Sequence, residues 1–320
     1  MIEQAIQGKA GFAVGTGRCG TRFVSEVAGL EPGVASSHER NAYNESFHRY
    51  CKWYDLPVDS AGFLAAKREE IEGDLAIAGY SFEASGYLSF SIKELYESFG
   101  AKFLLMLRRP DKVINSFLFK GWYGKPYICG KPNLAPGYQE HEAEWFNHFL
   151  ARIAPRGDEF IRWNKLTRVG KLAWYWTALN SSVLQQFAEL PASQSMVVKL
   201  EELNYVKYLE VADFLGYESA IGREKFESLA YNPPNQFRDY RGAAVWSDRE
   251  HGEFEAQVKA LADRFAYPID HESLREKPSG QKPKLRPRVR QKIGDSMLKL
   301  LGGYRRVNDS IVSRLEKMLR

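Results

Sequence analysis

Arg18 stands among glycines in the run Phe12-Ala13-Val14-Gly15-Thr16-Gly17-Arg18-Cys19-Gly20-Thr21-Arg22-Phe23. These residue types suit the holding of an anion. The glycines let backbone N–H groups approach closely, and a helix starting at Thr21 points its unpaired N–H groups at the same place. Gly15 and Gly20 have the spacing of an ATP-binding loop, G-x-x-x-x-G-K-[ST]. Here, however, Thr21 takes the lysine slot and Arg22 the hydroxyl slot. The usual phosphate lysine and magnesium hydroxyl are displaced, and a cationic Arg18 sits inside the loop. The chemistry predicted is the handling of a phosphate-bearing donor without a metal.

Two further segments carry chemistry. Ala101–Leu107 is a largely apolar run that reads as a buried parallel strand. It ends in Arg108-Arg109-Pro110, and Ser116 follows within the next helix. Proline suits the first helical position, arginine offers a bidentate fork for phosphate, and serine adds a hydroxyl. Arg109 is read as exposed or paired with Asp111. Ser36-Ser37-His38-Glu39-Arg40 follows another candidate strand and offers two proton acceptors, an imidazole and a carboxylate. Glu39 is preferred over His38 as base. Arg40 is read as pairing with the glutamate or with the donor. Glu83, after a third candidate strand, is an alternative base or an acceptor-orienting group.

Taken together, these segments resemble the sulfotransferases that use 3′-phosphoadenosine 5′-phosphosulfate (PAPS), in the bacterial, carbohydrate or tyrosylprotein-type branches. The resemblance implies that Arg18, Gly20, Thr21 and Arg22, with Gly17 and Cys19 in the same loop, hold the 5′-phosphosulfate. It implies that Arg108 and Ser116 hold the 3′-phosphate. Further landmarks fall in the family's order: Arg168–Trp176 with Asn180, Val197–Leu203 and Val211–Gly216. Arg241-Gly242 through Trp246 resembles the loop that closes over the 3′-phosphate, although its lysine is missing. Arg18 takes the place of the cation at the leaving oxygen, and Glu39 stands about where the tyrosylprotein enzymes carry their catalytic glutamate.

Elements able to position these groups are visible in the apolar patterning. Candidate strands at Gly11–Val14, Val34–Ser36, Leu75–Tyr80 and Lys102–Leu107 alternate with helices at Thr21–Ala28, Asn44–Trp53, Ala61–Glu70 and Ser89–Phe99. Such alternation predicts a P-loop-like α/β fold, with a parallel sheet covered by helices on both faces. Ligands bind outside the carboxyl ends of such strands. Met196–Leu200 reads as a last strand. Tyr175 and its tryptophan neighbours read as core. The turn-rich, aromatic stretch 118–160 reads as an insertion beside the acceptor site, its rings either stacking on sugars or packing the loop.

Charge is unevenly spread. From residue 269 onward there are 14 Lys/Arg against 6 Asp/Glu, while the whole 320-residue chain carries only +5. Two parts are expected: a catalytic domain over 1–268 and a basic linker with an amphipathic helical tail over 269–320. The tail helix, over 289–320, is read as docking on the catalytic domain or a dimer partner, with peripheral membrane contact as the alternative. Three cysteines do not suggest a disulfide framework. Neither a signal segment nor a long apolar run is apparent, so a cytoplasmic protein, at most peripheral at a membrane, is expected. No nucleic-acid motif accompanies the charge. The function expected is metal-independent transfer from PAPS to an acceptor hydroxyl of a saccharide or glycolipid. The alternatives are a nucleotide kinase of related fold and a non-catalytic, membrane-associated binding protein.

Overall fold

Alternate residues along the two central strands serve opposite faces. In the computed structural model, which describes residues 6–123, 150–231 and 246–269, five strands form one parallel sheet: Ala10–Val14 (β1), Val34–His38 (β2), Tyr80–Ala84 (β3), Lys102–Leu107 (β4) and Ser195–Lys199 (β5). Their order is β2-β3-β1-β4-β5. Phe12, Val14, Phe103, Leu105 and Leu107 pack into one core, whereas Ala13, Leu104 and Met106 pack into the other. Both faces of β1 and β4 are therefore dry, which explains their unbroken apolar runs.

Helices cover the two faces. They are Thr21–Ala28 (α1), Ala42–Tyr54 (α2), Ser60–Leu75 (α3), Ile92–Phe99 (α4), Pro110–Phe119 (α5), Asp158–Asn164 (α6), Arg168–Ala188 (α7), Tyr205–Leu215 (α8), Arg223–Tyr231 (α9) and Asp248–Arg264 (α10). The first core takes side chains from α4, α7 and α10, and the second from α1 and α8. Thr167 caps α7 by accepting from Gly170 N, and Ser247 and Glu250 form a reciprocal capping box on α10. α8 ends at Gly216, whose φ of 97° is open to glycine.

The order in which strands are added reverses about β1, which pairs in parallel with β3 on one side and β4 on the other. A crevice at the carboxyl ends of β1 and β4 follows from that topology. The chain divides into two units, Met1–Arg275 and Glu276–Arg320. The basic tail expected over 269–320 lies, but for Ile269, outside the described residues. Among the described residues no helix is long and apolar enough to cross a membrane.

One strand differs from expectation. Leu75 closes α3, Ile77 is 83% exposed, and the strand expected at Leu75–Tyr80 lies instead at Tyr80–Ala84. The apolar Leu75–Ala78 segment is a helix end and turn. The true strand carries Ser81 and Glu83 between apolar neighbours, all of them buried. The residues expected as one helix over Ser89–Phe99 divide into a 3₁₀ turn, Gly86–Phe90, and α4.

Glu83 is tolerated inside a strand because a buried cation meets it. Lys67 Nζ, on a side chain only 3% exposed, donates to Glu45 Oε1 at 2.5 Å, Glu70 Oε2 at 2.8 Å and Glu83 Oε2 at 2.8 Å. Ser85 Oγ donates to the other oxygen of Glu45 at 2.6 Å. Burial opposes ionisation of Glu45, but Lys67 and the hydrogen bonds outweigh it and hold the carboxyl below its ordinary value. Burial, then the charge of Glu45, pushes Glu83 up to about 8. Glu83 thus keeps a proton that the unfolded chain would lose, and its contribution to stability falls as pH climbs from the ordinary carboxylate range through about 8. Lys67→Met would leave the carboxyls buried without a counter-ion. We expect a loss of about 3–5 kcal/mol at pH 7, read by urea unfolding, and a smaller loss at pH 5. An unchanged midpoint at pH 7 would contradict this account.

Candidate active site

Two residues bearing chemistry occupy backbone conformations that L-residues seldom adopt. Arg18 has φ 58° and Glu39 has φ 49°. Each such position costs on the order of 1–3 kcal/mol and persists only where the surroundings enforce it. Both follow the carboxyl end of a strand, β1 for Arg18 and β2 for Glu39, and both line one cavity of about 600 Å³.

The loop after β1 is shaped by close approach. A Cβ on Gly15 would lie 2.6 Å from Met106 O and 2.7 Å from Cys19 Sγ. Gly20 caps α1 with φ 98° and no side-chain cap, so the first N–H groups of α1 keep their capacity for an anion. Thr16, Gly17, Arg18, Gly20, Thr21 and Arg22 line the cavity. Arg18 Nε donates to Ser116 Oγ at 2.7 Å, and Arg108 Nη1 donates to Arg18 O at 2.9 Å. The two anion segments, far apart in sequence, are therefore hydrogen-bonded to each other. Consecutive residues of α7 brace them: Tyr175 Oη donates to Thr16 O at 3.0 Å and Trp176 Nε1 to Arg108 O at 3.0 Å.

The turn carrying Glu39 is held from below. Glu39 N donates to Ala84 O at 3.1 Å, and Arg40 N donates to Glu83 Oε1 at 3.1 Å. Arg40 reaches away from the cavity, donating to Ser37 Oγ, to Glu70 O and, at 2.6 Å, to Asp74 Oδ2. Asn41 N donates to Glu45 Oε1 at 3.2 Å.

Charge in the cavity is lopsided. Among the described residues that line it, Arg18, Arg22, Arg49, Arg108 and Lys120 face one carboxylate, Glu39. Burial, then the nearby charge of Glu45, pushes Glu39 up to about 7 in spite of Lys120, Arg49 and Arg18. His38 moves the other way: burial, then Arg22, brings it down to about 4, and its Nε2 lies 3.4 Å from Thr21 Oγ1. A carboxylate that titrates near neutrality is matched to proton abstraction, whereas an imidazole at about 4 is neutral and a weak base. Burial, then Arg108, lowers the pKa of Arg18.

Several expectations need correction. Cys19, expected among the donor contacts, has its thiol fully buried in the core behind the loop and raised by burial, so only its backbone is available there. Glu83 sits within β3, bonded to Lys67, and does not line the cavity. Arg40 pairs with Asp74 rather than with Glu39 or a donor. Ser116 meets the site through Arg18 and does not line the cavity itself. Arg109 pairs with Asp111 as expected, at 3.0 and 3.2 Å. Arg241 and Gly242 lie outside the described residues.

Sequence reading missed Arg49, Tyr87, Phe117 and Lys120, which line the cavity, and took Tyr175 only as core. Arg49 alone carried a signal: an arginine beside the buried positions of an amphipathic α2, with Glu45 and Cys51 nearby. Trp122, in the aromatic stretch read as acceptor-facing, lines the cavity and also packs on Phe117 with ring centroids 4.1 Å apart.

No family model matches the chain. A search of curated proteins finds no match either. Among solved structures, the chain is similar to sulfotransferase STF9 from Mycobacterium avium, at 12% identity over 82% of this chain and 76% of that one, with a TM-score of 0.50. A sulfotransferase domain from the curacin biosynthetic pathway aligns at 13% identity over 82% of this chain and 99% of that one, with a TM-score of 0.44. At these identities the likeness to STF9 speaks of architecture: this chain has the α/β fold of that sulfotransferase, a single parallel sheet flanked by helices.

Proposed function

We propose that the protein transfers a sulfuryl group from PAPS to an acceptor hydroxyl, of a saccharide or glycolipid, without a metal. The observation that carries this reading is the union of the two anion segments in one cavity, Arg18 Nε on Ser116 Oγ and Arg108 Nη1 on Arg18 O, with Glu39 in the same cavity. A nucleotide with phosphates at both ends fits a site with two separately encoded anion segments. Thr21 in place of the P-loop lysine argues against ATP chemistry. The aromatic lining of Tyr87, Phe117, Trp122 and Tyr175 suits a sugar face. On its sequence pattern, the 289–320 segment would serve dimer formation or peripheral membrane contact, and the protein would work in the cytoplasm.

The donor fits the residues present. The glycine loop, the uncapped N-terminus of α1 and Arg22 would hold its 5′ end, and Arg108 its 3′-phosphate. When bound, the donor supplies the sulfuryl group, its S–O bond to phosphate breaking as the acceptor oxygen bonds to sulfur. Arg18 places positive charge where the leaving phosphate oxygen gains negative charge, and its bond to Ser116 fixes that placement. Glu39 takes the acceptor proton on its carboxylate. Its rigid turn keeps it in place with no reorganisation at the moment of reaction.

Two measurements test this reading. Calorimetric titration with 3′,5′-adenosine bisphosphate in EDTA should show binding in the wild type, weakened about tenfold or more in Arg108→Ala by loss of a charge-assisted hydrogen bond. No binding in the wild type, alongside binding of Mg-ATP, would sink the proposal. Activity with labelled PAPS should rise with pH and reach half its plateau near 7, since only deprotonated Glu39 accepts the proton. Glu39→Gln should lower kcat by about 10²–10⁴-fold with bisphosphate affinity unchanged. An intact rate in Glu39→Gln would remove Glu39 from the role.

A further inference from the structure

Arg49 is a buried cation whose bonding is incomplete. Its side chain comes from α2, on the Glu39 side of the cavity and from neither anion segment, and the residue is 2% exposed. Its guanidinium lies over the rings of Phe90, 5.3 Å away, and Tyr175, 5.9 Å away. Nη2 donates to Tyr175 Oη at 3.1 Å, and Nε has no hydrogen-bond partner. Among the described residues no carboxylate lies within ion-pair distance. Glu39 feels the charge of Arg49 but makes no ion pair with it, and the carboxylate nearest in sequence on α2, Glu45, is spent on Lys67 and Ser85.

A guanidinium taken out of water normally gains a carboxylate or a full set of acceptors in return. Here aromatic faces and one phenol meet part of that need, and the residue lines the cavity with its buried Nε still unpartnered. Tyr175 ties the group down, because the same phenol that accepts from Arg49 donates to Thr16 O. The fork is therefore fixed relative to the anion loop and cannot swing out to find a partner. A planar anion matches such a fork in two parallel hydrogen bonds. The donor's own charges already have Arg18, Arg22 and Arg108.

We infer that Arg49 is an acceptor-recognition residue, and that the acceptor is a hydroxyl compound carrying a carboxylate, of the uronic-acid-bearing saccharide type. This rests on the sulfotransferase reading above and adds to it the charge of the substrate. The carboxylate would complete the hydrogen bonding of Arg49, while Tyr87 and Trp122 enclose the ring and the hydroxyl meets Glu39.

The test compares two probes that differ at one carbon, p-nitrophenyl β-D-glucuronide and p-nitrophenyl β-D-glucoside. Each is titrated calorimetrically into the full-length protein saturated with 3′,5′-adenosine bisphosphate. The glucuronide should bind at least about tenfold tighter than the glucoside, as expected for a charge-assisted pair in a dry site. Arg49→Met, which keeps the length and apolar stem, should bring the two probes within about twofold of each other, with bisphosphate affinity retained as the sign of an intact fold. Arg49→Lys, charged but without a fork, should fall between. Equal binding of the two probes in the wild type overturns the inference without any variant. So does a glucuronide that fails to bind while the bisphosphate binds, or a preference that survives in Arg49→Met. Failure of the bisphosphate to bind the wild type is a separate result: it removes the donor reading itself.

Discussion

The ammonium of Lys67, buried where Glu45, Glu70 and Glu83 converge, is the constraint on which the acceptor side of the molecule depends. Without it a carboxyl could not lie inside β3, and without that carboxyl the turn after β2 would have nothing to hold Arg40 N. The same group of acids reaches Asn41 N through Glu45. Glu39 stands between these anchors in a left-handed conformation that no local preference would choose. Burial is the main cause of its raised proton affinity, and the charge of Glu45, held ionised beside Lys67, adds to it. One lysine thus bears, through Glu83 and Glu45, on the position of a residue it does not touch.

The donor side is organised by crossing hydrogen bonds rather than by burial of charge. Arg18 and Arg108 lie in loops at the ends of adjacent strands, and like charges so close would drive flexible loops apart. Ser116, the carbonyl of Arg18 and two neighbouring residues of α7 hold them together instead. The site keeps a surplus of positive charge that an anionic ligand relieves, and rigid loops let that relief appear as affinity and not as rearrangement. The likeness to STF9 lies in the sheet architecture.

What could be read from the sequence was what is local. The loop after β1 and the turn into α5 announce themselves through glycines, a proline and unbroken apolar runs, because both lie on strands covered on two faces. β3 escaped notice because Ser81 and Glu83 break its apolar run, and their burial depends on Lys67 and Asp74 brought in by α3. Arg49 carried only a faint signal, and Tyr87 and Tyr175 were illegible as site residues, for a related reason. They come from α2, a 3₁₀ turn and α7, and only the packing of α7 across the strand ends brings them to the cavity. Cys19 shows the opposite error: it lies in the right loop, but the turn points its side chain inward.

The position of β1 has a consequence for how the molecule is made. Among the described residues β1 precedes every other strand in the chain, yet it sits in the middle of the sheet, and both of its partners, β3 and β4, come later. Its apolar faces have no neighbouring strand until Tyr80–Ala84 has been synthesised. The brace from Tyr175 to Thr16 closes a loop of 159 residues, and closure of such long-range contacts is slow. The donor loop is thus written well before the residue of α7 that holds it in shape. During synthesis the chain carries an exposed, aggregation-prone strand for longer than its stability once folded would suggest.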